Sequence, residues 1–235
     1  MSAAPLPLAD VLARGDIWRG DALPGLPENA IASGHAALDA ELPGGGWPRG
    51  SLSEILVDRC GQGEMSLLLP ALASLSRAGG WLALIDPPWQ PHAPAWVAAG
   101  VAPERLLVIR AGRDAPWCCE QLLASGGFAG VLAWPASGIT ARTLRRLQVA
   151  VEGRPTLACL WRPSAAASQP SPAPLRLVLA GETGGLSVHI LKRRGRPAAQ
   201  PLHLSIPRPG RSSRALVGSS LFPVAARSAA LAAVA

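Results

Sequence analysis

Residues 51–79 read SLSEILVDRCGQGEMSLLLPALASLSRAG. An apolar run, a glycine-bearing turn and a longer run rich in leucine and alanine predict a strand, a tight loop and a helix beginning near Met65. The loop stands where a phosphate-binding loop would stand. That motif, GxxxxGK[ST], cradles phosphates on backbone N–H groups, neutralises β/γ charge with its lysine and holds magnesium with its hydroxyl. Aligned on the final glycine, Gly63 is in place and Gly61 lies within the loop, but Glu64 replaces the lysine, Met65 replaces the hydroxyl, and Val57 or Asp58 replaces the early glycine. At about 4 Å and an effective dielectric of about 20, each sign of that charge is worth on the order of 4 kcal/mol. The loop is therefore expected to be degenerate, with no ATP hydrolysis, no catalytic residue and no cofactor.

Outward from the loop, short apolar runs (SLSEILV, WLALID, RLLVIR, FAGVLAW, TLACLW) alternate with helix-compatible segments (GEMSLLLPALASLSRAG, HAPAWVAAG, DAPWCCEQLLASG, GITARTLRRLQVAVEG). Continuous apolar strands with helical crossovers predict an α/β fold with a mostly parallel sheet flanked by helices. After Trp161 the stretch RPSAAASQPSPAP reads as a loop, and LRLVLAG, GLSVHILK and PLHLSI follow with no room for helices. They predict a C-terminal antiparallel extension of the sheet. Three parts result: an N-terminal helix and connector over 1–30, with the helix in PLADVLARGDIWRG; a core over 31–206; and a basic, flexible tail over 207–235.

The 235-residue chain is 49% hydrophobic, enough for one sizeable core. Its formal charge of +7 is uneven, because every charged residue after Gly185 is basic. That end would attract a polyanion or an acidic protein. The opening MSAAPLPLAD has neither the basic nor the apolar region of a secretory signal, and MSLLLPALASLS is too short to span a bilayer. A cytoplasmic location without a membrane partner is expected. Cys60, Cys118, Cys119 and Cys159 show no CxxC spacing and the four histidines are scattered. Buried, reduced thiols and no metal site are expected.

The segment Ile31–Ile55, IASGHAALDAELPGGGWPRGSLSEI, resembles the corresponding segment of RecA-type recombinases without a gap over 25 positions, with Ser33-Gly34, Leu38-Asp39, Gly45-Gly46, Gly50 and Glu54-Ile55 at the family's spacing. The resemblance runs more loosely over about residues 8–206 and implies a RecA-like core. The spoiled loop, the tryptophan-rich strands and SPAPLRL before ILKRRG are similar to the ImuA family of translesion-synthesis-associated proteins. That resemblance implies a non-catalytic, damage-inducible SOS accessory in DNA repair and mutagenesis. Its implied partners are ImuB, which is a Y-family-like polymerase homologue, an error-prone DnaE-type polymerase, and RecA. In RecA the acidic residue that activates water follows the strand corresponding to WLALID, whereas no glutamate occurs here between Asp86 and Glu104. The later strand GVLAWP ends in Trp134 and Pro135, with no carboxylate to position a hydrated metal. RecA's lysines that reach a neighbour's nucleotide fall near Lys192 and Arg194. A SulA-like division inhibitor binding FtsZ and a RecA/KaiC-type ATPase with an atypical loop are the alternatives.

Candidate DNA- or partner-binding residues are Lys192, Arg193, Arg194, Arg196, Arg208, Arg211 and Arg214. Arg142, Arg145 and Arg146 read as a solvated helix face. Trp81, Trp134 and Trp161 lie in apolar strands and are expected in the core. Trp18, Trp47, Trp89 and Trp117 adjoin glycine or proline and read as exposed anchors for a protein partner.

Overall fold

The structure, a computed structural model, describes residues 30–135, 139–195, 197–198 and 200–206. The expected N-terminal helix, Trp18, Arg196 and the tail with Arg208, Arg211 and Arg214 lie outside these residues.

A two-residue strand β1 (Ala30–Ile31) pairs antiparallel with β2 (Trp47–Pro48). Between them α1 (Ala36–Asp39) is anchored by the Ser33 N–H, which donates to Asp39 Oδ1 at 2.8 Å. The glycine at position 46 is forced by close approach: a Cβ there would come within 2.2 Å of the Ile31 carbonyl oxygen.

The main sheet begins with β3 (Ser51–Val57), all seven residues of which are buried. It continues with β4 (Trp81–Ile85), β5 (Leu106–Ile109), β6 (Phe128–Ala133), β7 (Leu157–Pro163), β8 (Leu175–Glu182), β9 (Gly185–Lys192) and β10 (Leu202–Ser205). Across the sheet the order is β10-β9-β8-β3-β7-β6-β4-β5. The six strands from β8 to β5 are mutually parallel, and β9 runs antiparallel between β8 and β10. The mostly parallel sheet with an antiparallel extension is thus present. The extension begins one strand later than its linker lengths imply, because the loop after β7 returns far enough for β8 to pair parallel with β3.

Helices cover both faces. On one side lies α2 (Glu64–Arg77), while α3 (Ala93–Ala98) follows β4. On the other side lie α4 (Ala115–Ser125) and α5 (Ala141–Val151), the latter capped by the Thr140 hydroxyl, which accepts from the Thr143 N–H. The two-residue period of a strand divides the core: Leu82 and Leu84 face α2, whereas Ala83 and Ile85 face α4 and α5. Pro70 inside α2 cannot donate to the Ser66 carbonyl four residues back. Gly34 packs on Pro70, and His35 lies beside that same carbonyl. Among the described residues no helix is long and apolar enough to cross a membrane.

Candidate functional site

The loop over residues 58–63 joins the end of β3 to the start of α2, as the sequence predicts, and α2 begins at Glu64, one residue before Met65. Gly61 and Gly63 have φ of 91° and 114°, values that L side chains rarely adopt, so glycine is required at both. This backbone brings the Gly61 and Gln62 N–H groups within reach of the first residue of α2. They meet the Glu64 carboxylate: the Gly61 N–H donates to Oε1 at 2.6 Å and the Gln62 N–H to Oε2 at 2.8 Å. Glu64 is only 3% exposed. An anion is favoured at a helix N-terminus beside unsatisfied N–H groups, and here the chain supplies the anion itself. The two loop N–H groups at the entrance to α2 are thereby taken up by the chain's own carboxylate. Gln62 locks the arrangement laterally, its Oε1 accepting from the Gly181 N–H of β8 at 3.0 Å.

Over the loop lies a cleft of about 910 Å³, bounded by Gln62, Glu64, Trp89, His92, Trp96 and Trp134. Trp89 sits against Gly61 and is 61% exposed. At the end of β6, Trp134 stacks on Trp161 with ring centroids 4.2 Å apart and planes at 22°. Two indoles therefore fill the region where a metal-positioning carboxylate would be sought. Burial first, and then the Glu64 charge, pushes the Cys60 thiol up from its ordinary value. Among the described residues no three His, Cys, Asp or Glu side chains converge as a metal site.

The predicted basic run separates when folded. Lys192 Nζ donates to the Ser171 carbonyl at 2.8 Å, and burial, followed by the Arg176 charge, holds its ammonium below the usual range. Arg193 is ion-paired with Glu41 at 2.5 Å. Arg194 is exposed and has no hydrogen-bond or ion-pair partner among the described residues. A different ionic centre, buried and not foreseen, lies in the sheet. Glu54 on β3 binds Arg162 on β7 at 3.0 Å and Arg176 on β8 at 2.5 Å. Arg176 also donates to the carbonyls of Ala166, Ala167 and Gln169, and Arg162 to Gln169 Oε1. Arg162 is consequently a structural residue that holds the proline-rich loop down.

The chain is similar to three RecA proteins: that of Deinococcus radiodurans, 33% identical over 55% of this chain and 36% of the relative; that of Corynebacterium jeikeium, 36% identical over 43% and 28%; and that of Chlorobium chlorochromatii, 39% identical over 31% and 21%. The sequence and the fold are RecA-like. The matches span between about a fifth and about a third of the length of these relatives. No family model matches the chain.

Within this RecA-like core, two of the tryptophan assignments need correction. Trp47 is fully buried, because β2 folds it under α1 onto the main core, and is no exposed anchor. Trp81, expected in the core, is 43% exposed at the first position of β4, with the Arg105 guanidinium 5.3 Å above its ring. Trp134 and Trp161 are buried, and Trp89 and Trp117 are exposed, as expected. Arg142, Arg145 and Arg146 lie on the exposed face of α5, where Arg146 reaches Glu120 of α4. Of the cysteines, Cys119 and Cys159 are buried, whereas Cys60 and Cys118 are only partly so. Burial raises the Cys119 thiol to about 12. The sequence reading missed the closure of the loop by Glu64 and Gln62. A glutamate directly after a glycine at a helix start was its available signal.

Proposed function

We propose that this RecA-like chain is a non-catalytic accessory protein in SOS-induced translesion DNA synthesis, an adaptor that holds ImuB or RecA and, through them, an error-prone DnaE-type polymerase. One observation carries the non-catalytic part: the Glu64 carboxylate is bound by the Gly61 and Gln62 N–H groups. A nucleotide phosphate would have to displace that carboxylate and then lie beside it. Electrostatic stabilisation by a lysine and a metal is what phosphoryl transfer requires, and neither has a donor at positions 64 and 65. The adaptor part is supported by the likeness to RecA proteins, by the resemblance of SPAPLRL and ILKRRG to the ImuA family, and by the exposed indoles Trp89 and Trp117, aromatic anchors of the kind that concentrate binding energy at protein interfaces.

The test is capture of purified ImuB and RecA by the full chain in nuclease-treated buffer, with magnesium–ATP binding measured on the same preparation. Capture of either partner with no nucleotide bound is the expected result. Tight magnesium-dependent ATP binding with neither partner captured would overturn the reading in favour of an ATPase with an atypical loop.

A further inference from the structure

A second cleft, of about 320 Å³, opens at the other end of the sheet, where β3, β7 and β8 begin. Among the described residues Arg49, Arg154, Arg193 and Arg194 line it, against one acid, Glu152. These arginines come from three separate segments: the turn before β3, the turn before β7 and the stretch after β9. Arg193 is engaged with Glu41. Arg49 Nε donates to the Pro155 carbonyl at 2.8 Å, which braces the β3 and β7 ends together without neutralising the guanidinium. Arg154 and Arg194 are exposed and have no acidic partner among the described residues, and Arg154 lies by Gly126 at the end of α4. Cations gathered around one concavity in excess of the acids beside them repel one another, and the arrangement is relieved by an anion.

We infer that this cleft is a nucleic-acid contact, in which Arg49, Arg154 and Arg194 hold phosphates of a single strand. The guanidinium fork matches phosphate oxygens in two-point contacts. The cleft is too large for one phosphate alone, which leaves space for the attached sugar and base. Its remaining walls include Pro43, Pro48, Pro155 and Pro174. Proline offers no N–H to the carbonyls of a bound peptide, yet its ring presents an apolar face to a sugar or base. An acidic peptide is therefore the poorer fit. The inference deepens the reading above by giving the adaptor its own grip on nucleic acid, and it rests on that reading only for the choice of nucleic acid among polyanions.

Fluorescence anisotropy of a short labelled oligothymidylate, titrated with the full chain at several salt concentrations, tests it. The double substitution Arg154→Gln, Arg194→Gln is expected to weaken binding roughly tenfold and to reduce the salt slope by about 1.4, two single-strand phosphate contacts. Arg142→Gln, Arg145→Gln removes the same charge from the exposed face of α5 and is expected to change affinity little. Equal weakening by both pairs would overturn the cleft in favour of diffuse attraction. So would binding that is unaffected by either pair but lost on replacing Arg208, Arg211 and Arg214. Displacement of the oligonucleotide by inorganic phosphate or thymidine monophosphate at matched phosphate concentration would reduce the cleft to a small-anion site, and displacement by polyglutamate would make it a peptide site. Partner capture in nuclease-treated buffer does not depend on this cleft, so a failure here is distinguishable from a failure of the adaptor reading.

Discussion

At position 64 the degenerate motif has a positive physical content. A lysine there would reach outward to a ligand, whereas Glu64 turns inward and satisfies two N–H groups of its own loop. Hydrogen bonds to a charged group contribute about 1.5–3 kcal/mol each, so Glu64→Ala is expected to cost about 3 kcal/mol in chemical denaturation. Inorganic phosphate or sulfate should then raise the melting temperature of the variant by several degrees and leave the parent almost unmoved, because only the variant has an open cradle. Equal anion responses in the two proteins would mean that the carboxylate is not what fills it. His35 gives a second residue-scale expectation. Burial lowers its pKa below the ordinary 6.5, with the Asp39 charge and the Ser66 carbonyl opposing the shift. Above about pH 6.5 both folded and unfolded states are neutral at this residue. Below it the unfolded chain takes up the proton first, so stability falls until the folded pKa is passed. His35→Asn should flatten this acid limb in melting temperatures measured from about pH 7 to pH 5. An unchanged limb would assign it to other groups.

Elements were legible where one local signal suffices. Strands β3, β6 and β7 read as apolar runs because both faces are covered, and the helices between them read from length and composition. The ionic centre was hidden, since Glu54 lies more than a hundred residues from both Arg162 and Arg176 and only the parallel pairing of β3 with β7 and β8 brings them together. The tryptophans failed for the same reason. Neighbouring glycines say nothing about whether β2 is covered, and an apolar strand does not reveal that its first residue emerges from the sheet. The ionic centre also ranks three substitutions. Glu54→Ala leaves two buried guanidiniums without their shared carboxylate and is expected to cost about 3–5 kcal/mol. Arg176→Met should cost more than Arg162→Met, because Arg176 alone also satisfies three loop carbonyls. Urea denaturation curves provide the ranking, and a reversed order for the two arginines would show that the loop carbonyls find other donors.

On the scale of the whole molecule, the two clefts lie at opposite ends of the same strand. Ser51 at the start of β3 borders the basic cleft, and the loop that follows Val57 borders the cleft containing Glu64. Seven residues at about 3.3 Å each set them roughly 20 Å apart. Among the described residues the lining of the Glu64 cleft includes no lysine or arginine, and that of the basic cleft has four arginines. A polyanion is therefore directed to one end of the sheet, and the exposed Trp89 is left available at the other. Sites this far apart with no shared side chain are energetically additive unless a two-state rearrangement links them. Combining Glu64→Ala with Arg154→Gln and Arg194→Gln should consequently give stability losses that sum within about 0.5 kcal/mol. The arginine pair should leave partner capture intact, and Glu64→Ala should leave oligonucleotide affinity intact. A chain immobilised on oligonucleotide should still retain the protein partner. If partner binding instead displaced the oligonucleotide, the intervening sheet would have to carry two arrangements, and the buried Glu54–Arg162–Arg176 centre between the two ends would be the first place to seek the second.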